Sequence, residues 1–171
     1  GKAVAKVSAV TKEHMVIEAP AMVFEDQNDL ITAFKEKRLN KDFIAVVRFQ
    51  GPKAKGMPEL HKLTPTLSIL QHNGFKVALV TDGRMSGASG KVPSAIHVSP
   101  EAMDGGLLPL LKDGDLLRLD CIKGELLCLN EDEVNKREPV PNPPKEVGSG
   151  RELFDNVRTL ISSSETGATI F

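Results

Sequence analysis

The chain has 171 residues, a formal net charge of -1 and a hydrophobic fraction of 40%, values that are ordinary for one soluble globular domain over residues 1–171. This balance lacks the basic surplus that binding to nucleic acid or to an anionic membrane requires. No apolar run is long enough to span a bilayer. No signal peptide is visible, because Glu18 and Pro20 interrupt the first apolar stretch. We therefore expect a cytoplasmic protein without nucleic-acid or membrane partners.

The two cysteines, Cys121 and Cys128, lack the spacing of a zinc or redox motif. We expect them to be buried or half-buried thiols of strands, because nothing else indicates the secreted setting that favours disulfides. The chain has no Trp and no Tyr, so it offers few side chains for stacking on bases or sugar rings.

The first third of the chain predicts short strands around one helix. β-like runs cover 4–10 and 15–18, separated by a polar break. An amphipathic helix is predicted over 26–37, with lysines towards its end. The β-branched run FIAVVRF over 43–49 predicts a buried strand.

Two glycine-rich loops and a second buried strand follow. The segment 50–57 reads as a Gly/Pro loop, and 58–71 predicts a helix that Pro65 breaks or kinks. The run FKVALV over 75–80 is typical of a buried strand, and the loop 81–90 comes directly after it.

The last part of the chain predicts a strand over 95–98 and a helix start at 99–101, with Ser99 as N-cap. A hairpin is predicted from 115–120 and 125–129, with Lys123-Gly124 at its turn. An extended arm over 139–144 leads to a final helix over 151–161 and a polar tail.

Strands and helices are mixed without strict βαβ alternation, which favours an α/β fold with a mixed sheet in a barrel or sandwich over a doubly wound sheet.

The loop after the first buried strand carries three cations and a carboxylate. Arg48, Lys53 and Lys55 supply positive charge, and the glycines let backbone amides approach an anion. Glu59 lies at a predicted helix start, where its carboxylate suits a magnesium ion. The alternative is a solvated turn in which Glu59 complements the helix dipole.

The loop after the second buried strand combines Asp82, Arg84, Ser86 and Lys91 among glycines. This composition is typical of an oxyanion or phosphate cradle, although Val92 after Gly90-Lys91 excludes a P-loop. A serine hydrolase is disfavoured because no GxSxG motif is present. An ordinary surface loop remains the alternative. His97 alternates with apolar neighbours, which favours a structural histidine in a strand.

Two segments, RFQGPKAKGMPELHKLTP (48–65) and VALVTDGRMSGASGKVPSAIHVSPEA (77–102), resemble paired motifs of the dihydroxy-acid/sugar-acid dehydratases. Together with GRELF (150–154), they most resemble the branch that acts on 6-phosphogluconate. The likeness runs from about residue 6 to residue 171. It implies that this chain, which begins with Gly1, is the C-terminal part of a larger enzyme.

The resemblance implies a β/β/α swivelling barrel-like domain that closes over an active site. The expected reaction is removal of water from 6-phosphogluconate in the Entner–Doudoroff pathway. A [4Fe–4S] cluster would act as Lewis acid, held by an N-terminal domain outside this chain, and neither cysteine here matches a cluster ligand. A homodimer is also implied.

The resemblance assigns roles to individual residues. Ser86 matches a serine that acts as the base for the C2 proton, and Glu59 matches a magnesium ligand. Some relatives have a threonine where Ala88 stands, and Ser89 is the hydroxyl that would replace it. The proposed substrate contacts are the polar residues of both loops, namely Arg48, Lys53, Asp82, Arg84, Ser89 and Lys91.

Two alternatives stay open from the sequence. The first is the same family with another substrate, either a branched dihydroxy acid or an unphosphorylated sugar acid. The second is a non-catalytic anion-binding or assembly module. The basic residues in both loops favour a phosphorylated substrate. We expect the chain by itself to fold without dehydrating any substrate.

Overall fold

A computed structural model describes residues 1–86, 90–145, 147–148 and 150–171. Within these residues, seven strands form one mixed sheet in the order β1-β5-β4-β3-β2-β6-β7. The strands are β1 (Lys2–Lys6), β2 (Val16–Phe24), β3 (Phe43–Val47), β4 (Val77–Thr81), β5 (Ser94–Ser99), β6 (Leu116–Asp120) and β7 (Glu125–Cys128). The helices are α1 (Gln27–Lys35), α2 (Pro52–Lys55), α3 (Leu63–His72), α4 (Glu131–Val134) and α5 (Asp155–Leu160).

The centre of the sheet is parallel and buried on both faces. Strands β2, β3, β4 and β5 are parallel neighbours, whereas β1, β6 and β7 pair antiparallel at the two sides. In β3, Phe43, Ala45 and Val47 pack towards the core that includes α1 and α3, and Ile44 and Val46 pack on the opposite face. Alternation along a strand produces this division.

The sheet curls because β2 changes partner along its length. Residues Val16 to Pro20 pair with β6, and residues Ala21 to Phe24 pair with β3. Pro20 lies at the change of partner, where its missing N–H removes no hydrogen bond between β2 and β3. Strands β1, β5, β6 and β7 all line one cavity of about 660 Å³ on the side opposite α1 and α3. The expected barrel-like α/β fold with a mixed sheet is confirmed.

The predicted first helix is confirmed, and its start has a clear cause. The Asp26 side chain accepts a hydrogen bond from the backbone N–H of Asn28 at 2.8 Å, which caps α1. Leu30 and Ala33 on one face of α1 are fully buried in the core. The predicted strands at the centre are likewise confirmed as β3, β4 and β5, with ends shifted by one or two residues.

The predicted helix over 58–71 is wrong in its first part. Helix α3 begins only at Leu63, so Pro65 falls in the first turn and does not break it. The first N–H groups of a helix have no intrahelical partner, and proline is tolerated there. The preceding residues stay irregular, and this leaves Glu59 free to form a β-bridge with Arg84.

Four other features differ from expectation. Strand β1 ends at Lys6, and β2 continues through Pro20 to Phe24. The loop 50–57 contains the four-residue helix α2, which is too short to show a periodic pattern. Ser99 does not cap a helix, since it still belongs to β5, and its hydroxyl lies 3.0 Å from that of Ser164. A single 3₁₀ turn, Ala102–Asp104, follows.

The C-terminal third agrees with the sequence. Strands β6 and β7 form the predicted hairpin, and Cys121 and Cys128 are free, half-buried thiols whose pKa values are raised by burial. The predicted last helix is a 3₁₀ turn, Arg151–Phe154, followed by α5. Among the described residues, no helix combines the length and the apolar character needed to cross a membrane.

A buried ion pair fixes the segment that follows the hairpin. Asp115, with 4% exposure, accepts two hydrogen bonds from Arg137 at 2.6 and 2.8 Å and one from Asn130 at 2.9 Å. Burial alone would raise the pKa of Asp115. The hydrogen bonds from Arg137, Asn130 and the Lys112 backbone outweigh it and lower this pKa to about 2.

Replacing Arg137 with leucine should therefore lower the free energy of unfolding at neutral pH by more than the loss of an exposed ion pair does, because the buried Asp115 carboxylate loses its charged partner. The folded-state pKa of Asp115 lies below its unfolded value, so this stabilisation is present above pH 3.8 and is lost as the pH falls towards 2. Urea unfolding of both proteins at several pH values measures the difference, which should shrink in acid.

The control is Arg38→Leu, which removes an exposed pair with Glu36. Such pairs contribute roughly 0–1 kcal/mol. An equal loss in this control, or an Arg137→Leu loss that does not change with pH, would contradict the assignment.

Candidate active site

The two loops singled out from the sequence meet at one edge of the sheet. Strands β3 and β4 are parallel neighbours, with Val47 opposite Thr81 at their carboxyl ends. Each loop begins directly after these residues, so the fold brings the two motifs together. Ligand sites of α/β sheets commonly lie at such strand ends.

Asp82 is the buried link between the loops. Its side chain is fully buried and accepts hydrogen bonds from the backbone N–H groups of Phe49 (3.1 Å), Gln50 (2.9 Å) and Ala102 (2.9 Å). Burial raises the pKa of Asp82, and the backbone donors oppose this shift. A substrate contact by this carboxylate would require it to give up these bonds. In the structure, the carboxylate holds together the segments that follow β3, β4 and β5.

Arg48 also points into the protein. It is 5% exposed, donates to the backbone oxygens of Leu108 (3.2 Å) and Leu111 (3.0 Å), and pairs with Glu25 at 2.9 Å. These contacts connect the end of β3 to the turn before β6. The Nη1 and Nη2 groups of Arg48 thus already donate hydrogen bonds to carbonyl and carboxylate groups of the chain itself.

Glu59 and Ser86 lie side by side, one from each loop. The Glu59 carboxylate oxygen Oε1 accepts hydrogen bonds from the backbone N–H groups of Ser86 (2.8 Å) and His61 (3.0 Å). Glu59 also forms a parallel β-bridge with Arg84, whose Nη2 lies 3.6 Å from Glu59 Oε2. The side chain of Glu59 is about one quarter exposed, so one of its faces is open to a ligand.

Arg84 ties this pair to the end of α2. Its Nε donates to the backbone oxygen of Met57 at 3.1 Å, and its own backbone oxygen accepts from the N–H of Leu60 at 3.2 Å. The side chain is half exposed. Arg84 therefore adds a positive charge beside Glu59 while keeping contact with solvent.

Lys6 is the site residue that the sequence did not reveal. Its ammonium donates to the backbone oxygen of Ser86. Burial lowers the pKa of Lys6, and the charge of Glu59 opposes this shift. Lys6 ends β1, eighty residues before Ser86, and only the pairing of β1 with β5 carries it there. No local motif surrounds it, so no sequence signal marked it.

His97 supports the same loop from β5, as expected for a structural histidine. Its backbone N–H donates to the oxygen of Gly83 at 2.9 Å. Burial and the charge of Arg84 both lower the pKa of this imidazole, which favours the neutral form beside the cations.

Strained backbone surrounds the site. Phe49, Met57 and His97 have φ values of 60°, 55° and 55°, in the left-handed region that side chains rarely adopt. Each residue lies in or beside a site loop. Such strain persists only where surrounding contacts hold it, and it clusters at functional sites.

Lys53 and Lys91 belong to the segments around the two motif loops but contact other parts of the chain. The Lys53 ammonium contacts both carboxylate oxygens of Asp104, at 2.6 and 2.8 Å. Lys91 is exposed, and its backbone oxygen accepts from Gln71 at 3.2 Å. Ala88 and Ser89 lie outside the described residues. Among the predicted site residues, the fold thus brings Ser86, Glu59 and Arg84 together.

In the described parts of the chain, no three His, Cys, Asp or Glu side chains are grouped in a way that could hold a metal ion. Glu59 is an accessible carboxylate that fits one ligand position of a magnesium ion, whose remaining ligands are often waters and substrate oxygens. The half-buried thiols Cys121 and Cys128 belong to the β6–β7 hairpin and do not fit an iron–sulfur cluster.

The geometry predicts that Glu59 orders the Ser86 backbone. In Glu59→Ala, the Ser86 amide should exchange its hydrogen about tenfold faster, because a hydrogen bond to a charged carboxylate contributes roughly 1.5 kcal/mol. Glu59→Gln should keep the rate within about threefold, since an amide oxygen still accepts. Hydrogen exchange followed by NMR measures both variants.

The amide of Val80 in β4 serves as an internal control that neither substitution should change. A Ser86 amide that exchanges equally in both variants, or a general rise that includes Val80, would argue against this specific bond.

Comparisons with known proteins agree on one family. The family described as dihydroxy-acid/6-phosphogluconate dehydratase C-terminal matches residues 1–168. Phosphogluconate dehydratase of Pseudomonas aeruginosa is 59% identical over 174 residues, and that of Escherichia coli K12 is 58% identical over 172 residues. These alignments cover 100% and 99% of this chain, and 28% of each relative.

A dihydroxy-acid dehydratase of Ruminiclostridium cellulolyticum is more distant. It is 37% identical over 172 residues, which cover 98% of this chain and 30% of that protein. The chain thus spans less than a third of the length of these relatives. With its two motif loops joined at one sheet edge, the chain belongs to the dihydroxy-acid/6-phosphogluconate dehydratase C-terminal family.

Proposed function

We propose that this chain is the C-terminal domain of a hydro-lyase that converts 6-phospho-D-gluconate to 2-dehydro-3-deoxy-6-phosphogluconate in the Entner–Doudoroff pathway. The observation that carries the proposal is the Glu59–Ser86 contact, which joins the two family motifs at one sheet edge. The choice of substrate is supported by identities of 50–59% to phosphogluconate dehydratases, against 37% to a dihydroxy-acid dehydratase.

Ser86 is proposed as the base that accepts the C2 proton. A serine hydroxyl is a weak base at neutral pH, and positive charge nearby lowers its pKa and favours the alkoxide. The backbone of Ser86 is fixed from two sides, by Glu59 at its N–H and by Lys6 at its oxygen. Lys6 contacts the Ser86 backbone oxygen, and Arg84 contacts Glu59, so these two cations are proposed to favour the alkoxide and to stabilise the charge that develops on a substrate carboxylate.

Glu59 is proposed as one ligand of a magnesium ion, which would orient the oxygens of the substrate when bound. The [4Fe–4S] cluster implied by the family is proposed to be held by an N-terminal domain, because Cys121 and Cys128 do not fit as its ligands. No step of the proposed chemistry in this chain is assigned to that cluster.

The other polar residues divide into two proposed groups. Lys91 and Lys53, cations of the two motif segments, are proposed to attract the phosphate of the substrate. Arg48 and Asp82 are proposed to act by holding the loops, since their polar groups already bind the chain itself. Ser89, outside the described residues, is proposed as a substrate contact on its motif position alone. On the resemblance, the complete enzyme is proposed to be a cytoplasmic homodimer.

Ser86→Ala in the full-length enzyme should reduce kcat for 6-phosphogluconate at least about 10³-fold, because the variant lacks the proton acceptor. Initial rates with 6-phosphogluconate, gluconate and 2,3-dihydroxyisovalerate measure the effect and the substrate preference, after anaerobic reconstitution. The wild-type enzyme should prefer the phosphorylated acid.

The matched control is Ser68→Ala, which changes a serine of α3 away from the site and should keep full activity. The 171-residue chain by itself should show no turnover. Near-normal activity of Ser86→Ala would refute the base, and preference for another acid would replace the proposed substrate.

Lys91→Ala should raise KM for 6-phosphogluconate about tenfold or more, with a smaller effect on kcat, because an exposed cation that binds the phosphate contributes to substrate binding more than to the chemical step. Steady-state kinetics measure this effect. Lys41→Ala, an exposed lysine before β3 at the opposite edge of the sheet, is the control. An unchanged KM in Lys91→Ala would exclude Lys91 as a phosphate contact.

A further inference from the structure

A concave surface lies beside α2. We name it the basic cleft and define it by the described ionised side chains that line it, Lys53, Lys55, Lys145, Arg151, Arg158 and Asp155. Its volume is about 300 Å³, and Ala54, Met103 and two prolines form the apolar part of its wall. Ser86 and Glu59 are not among the lining residues.

The basic cleft is assembled from three separate segments. Helix α2 contributes Lys53 and Lys55. Arg151 Nη2 donates to the backbone oxygen of Lys55 at 3.2 Å, which attaches the 3₁₀ turn before α5 to α2. Asp155 pairs with Arg158 and with Lys145, the latter at 3.4 Å. The cations are therefore positioned by the fold and do not simply extend into solvent.

The charge of the basic cleft is unbalanced. Five cations line it against one carboxylate among the described residues, whereas the whole chain carries a net charge of -1. Lys53 and Lys55 have carboxylate partners in Asp104 and Asp26, which offset part of their positive charge. Positive charge held in a recess with partly apolar walls attracts anions more strongly than the same charge on a flat surface.

The shape of the cleft selects the kind of anion. Its volume lies at the lower end of the range for small-molecule pockets, and the overall charge of the chain does not suit a polyanion. Two arginines beside lysines match the geometry of a phosphate group, which accepts paired hydrogen bonds from a guanidinium. We propose that the basic cleft binds the dianionic phosphate group of a small phosphorylated molecule.

The phosphate group in the basic cleft can belong to either of two molecules. One is the phosphate end of the substrate, and that version rests on the proposed function. The other is a separate phosphorylated metabolite or free phosphate that binds independently of Ser86. Binding itself is common to both sources, so it can be tested without any catalytic activity.

The first experiment titrates the ¹⁵N-labelled 171-residue chain with inorganic phosphate at low ionic strength and follows amide shifts. Saturable shifts are expected at α2 and around residues 151–158. In Lys145→Gln/Arg151→Gln, the dissociation constant should rise at least about tenfold, since two cations are lost. The single Lys145→Gln variant changes an exposed side chain and serves if the double variant unfolds.

The control is Arg38→Gln/Lys41→Gln, which removes the same charge from the opposite edge of the sheet and should change the dissociation constant less than twofold. Absence of saturable shifts, shifts confined to the Ser86 loop, or equal weakening in the control would each overturn the proposal.

Kinetics of the full-length enzyme then identify the source. If KM for 6-phosphogluconate rises in the cleft variants by the same factor as the phosphate dissociation constant, the cleft holds the substrate phosphate. If KM is unchanged while phosphate binding is weakened, the cleft serves a separate phosphorylated molecule. If the enzyme prefers an unphosphorylated acid, the proposed function fails. The phosphate titration still shows whether the basic cleft binds phosphate.

Discussion

Three backbone N–H groups converge on the carboxylate of Asp82, and the geometry of the site depends on this arrangement. The donors belong to Phe49, Gln50 and Ala102, which follow β3 and β5, while Asp82 itself follows β4. A carboxylate without such donors would be costly to bury, and each of these N–H groups would lack a partner without it. The three strand ends are thereby held together where both motif loops begin.

A second set of contacts builds the proposed active site on this frame. Glu59 and Ser86 come from different loops, and the Glu59 carboxylate joins them through the Ser86 backbone N–H. Lys6 approaches from β1, and Arg84 connects the pair to the end of α2. Hydrogen bonds within the chain hold each of these groups in place. Little movement of Ser86, Lys6 or Arg84 is therefore needed when a ligand binds. The positive-φ residues beside the loops show that the fold accepts local strain to keep this arrangement.

Charge is distributed unevenly in a chain that is almost neutral overall. Positive side chains gather at two places, around Ser86 and in the basic cleft. Helix α2 contributes Lys53 and Lys55 to the basic cleft, and Glu101 holds this helix by accepting from the backbone N–H groups of Lys53 and Ala54.

The sequence by itself determined the strands of the sheet centre, the first helix, the β6–β7 hairpin and the two motif loops. These features rest on local signals, such as β-branched runs, the Asp26 cap and the turn at Lys123-Gly124. Tertiary structure alone decided the burial of Arg48 and Asp82, the arrival of Lys6 at Ser86 and the assembly of the basic cleft. Each of these depends on strand pairing or packing between residues far apart in the chain, and no local pattern of residues encodes such contacts.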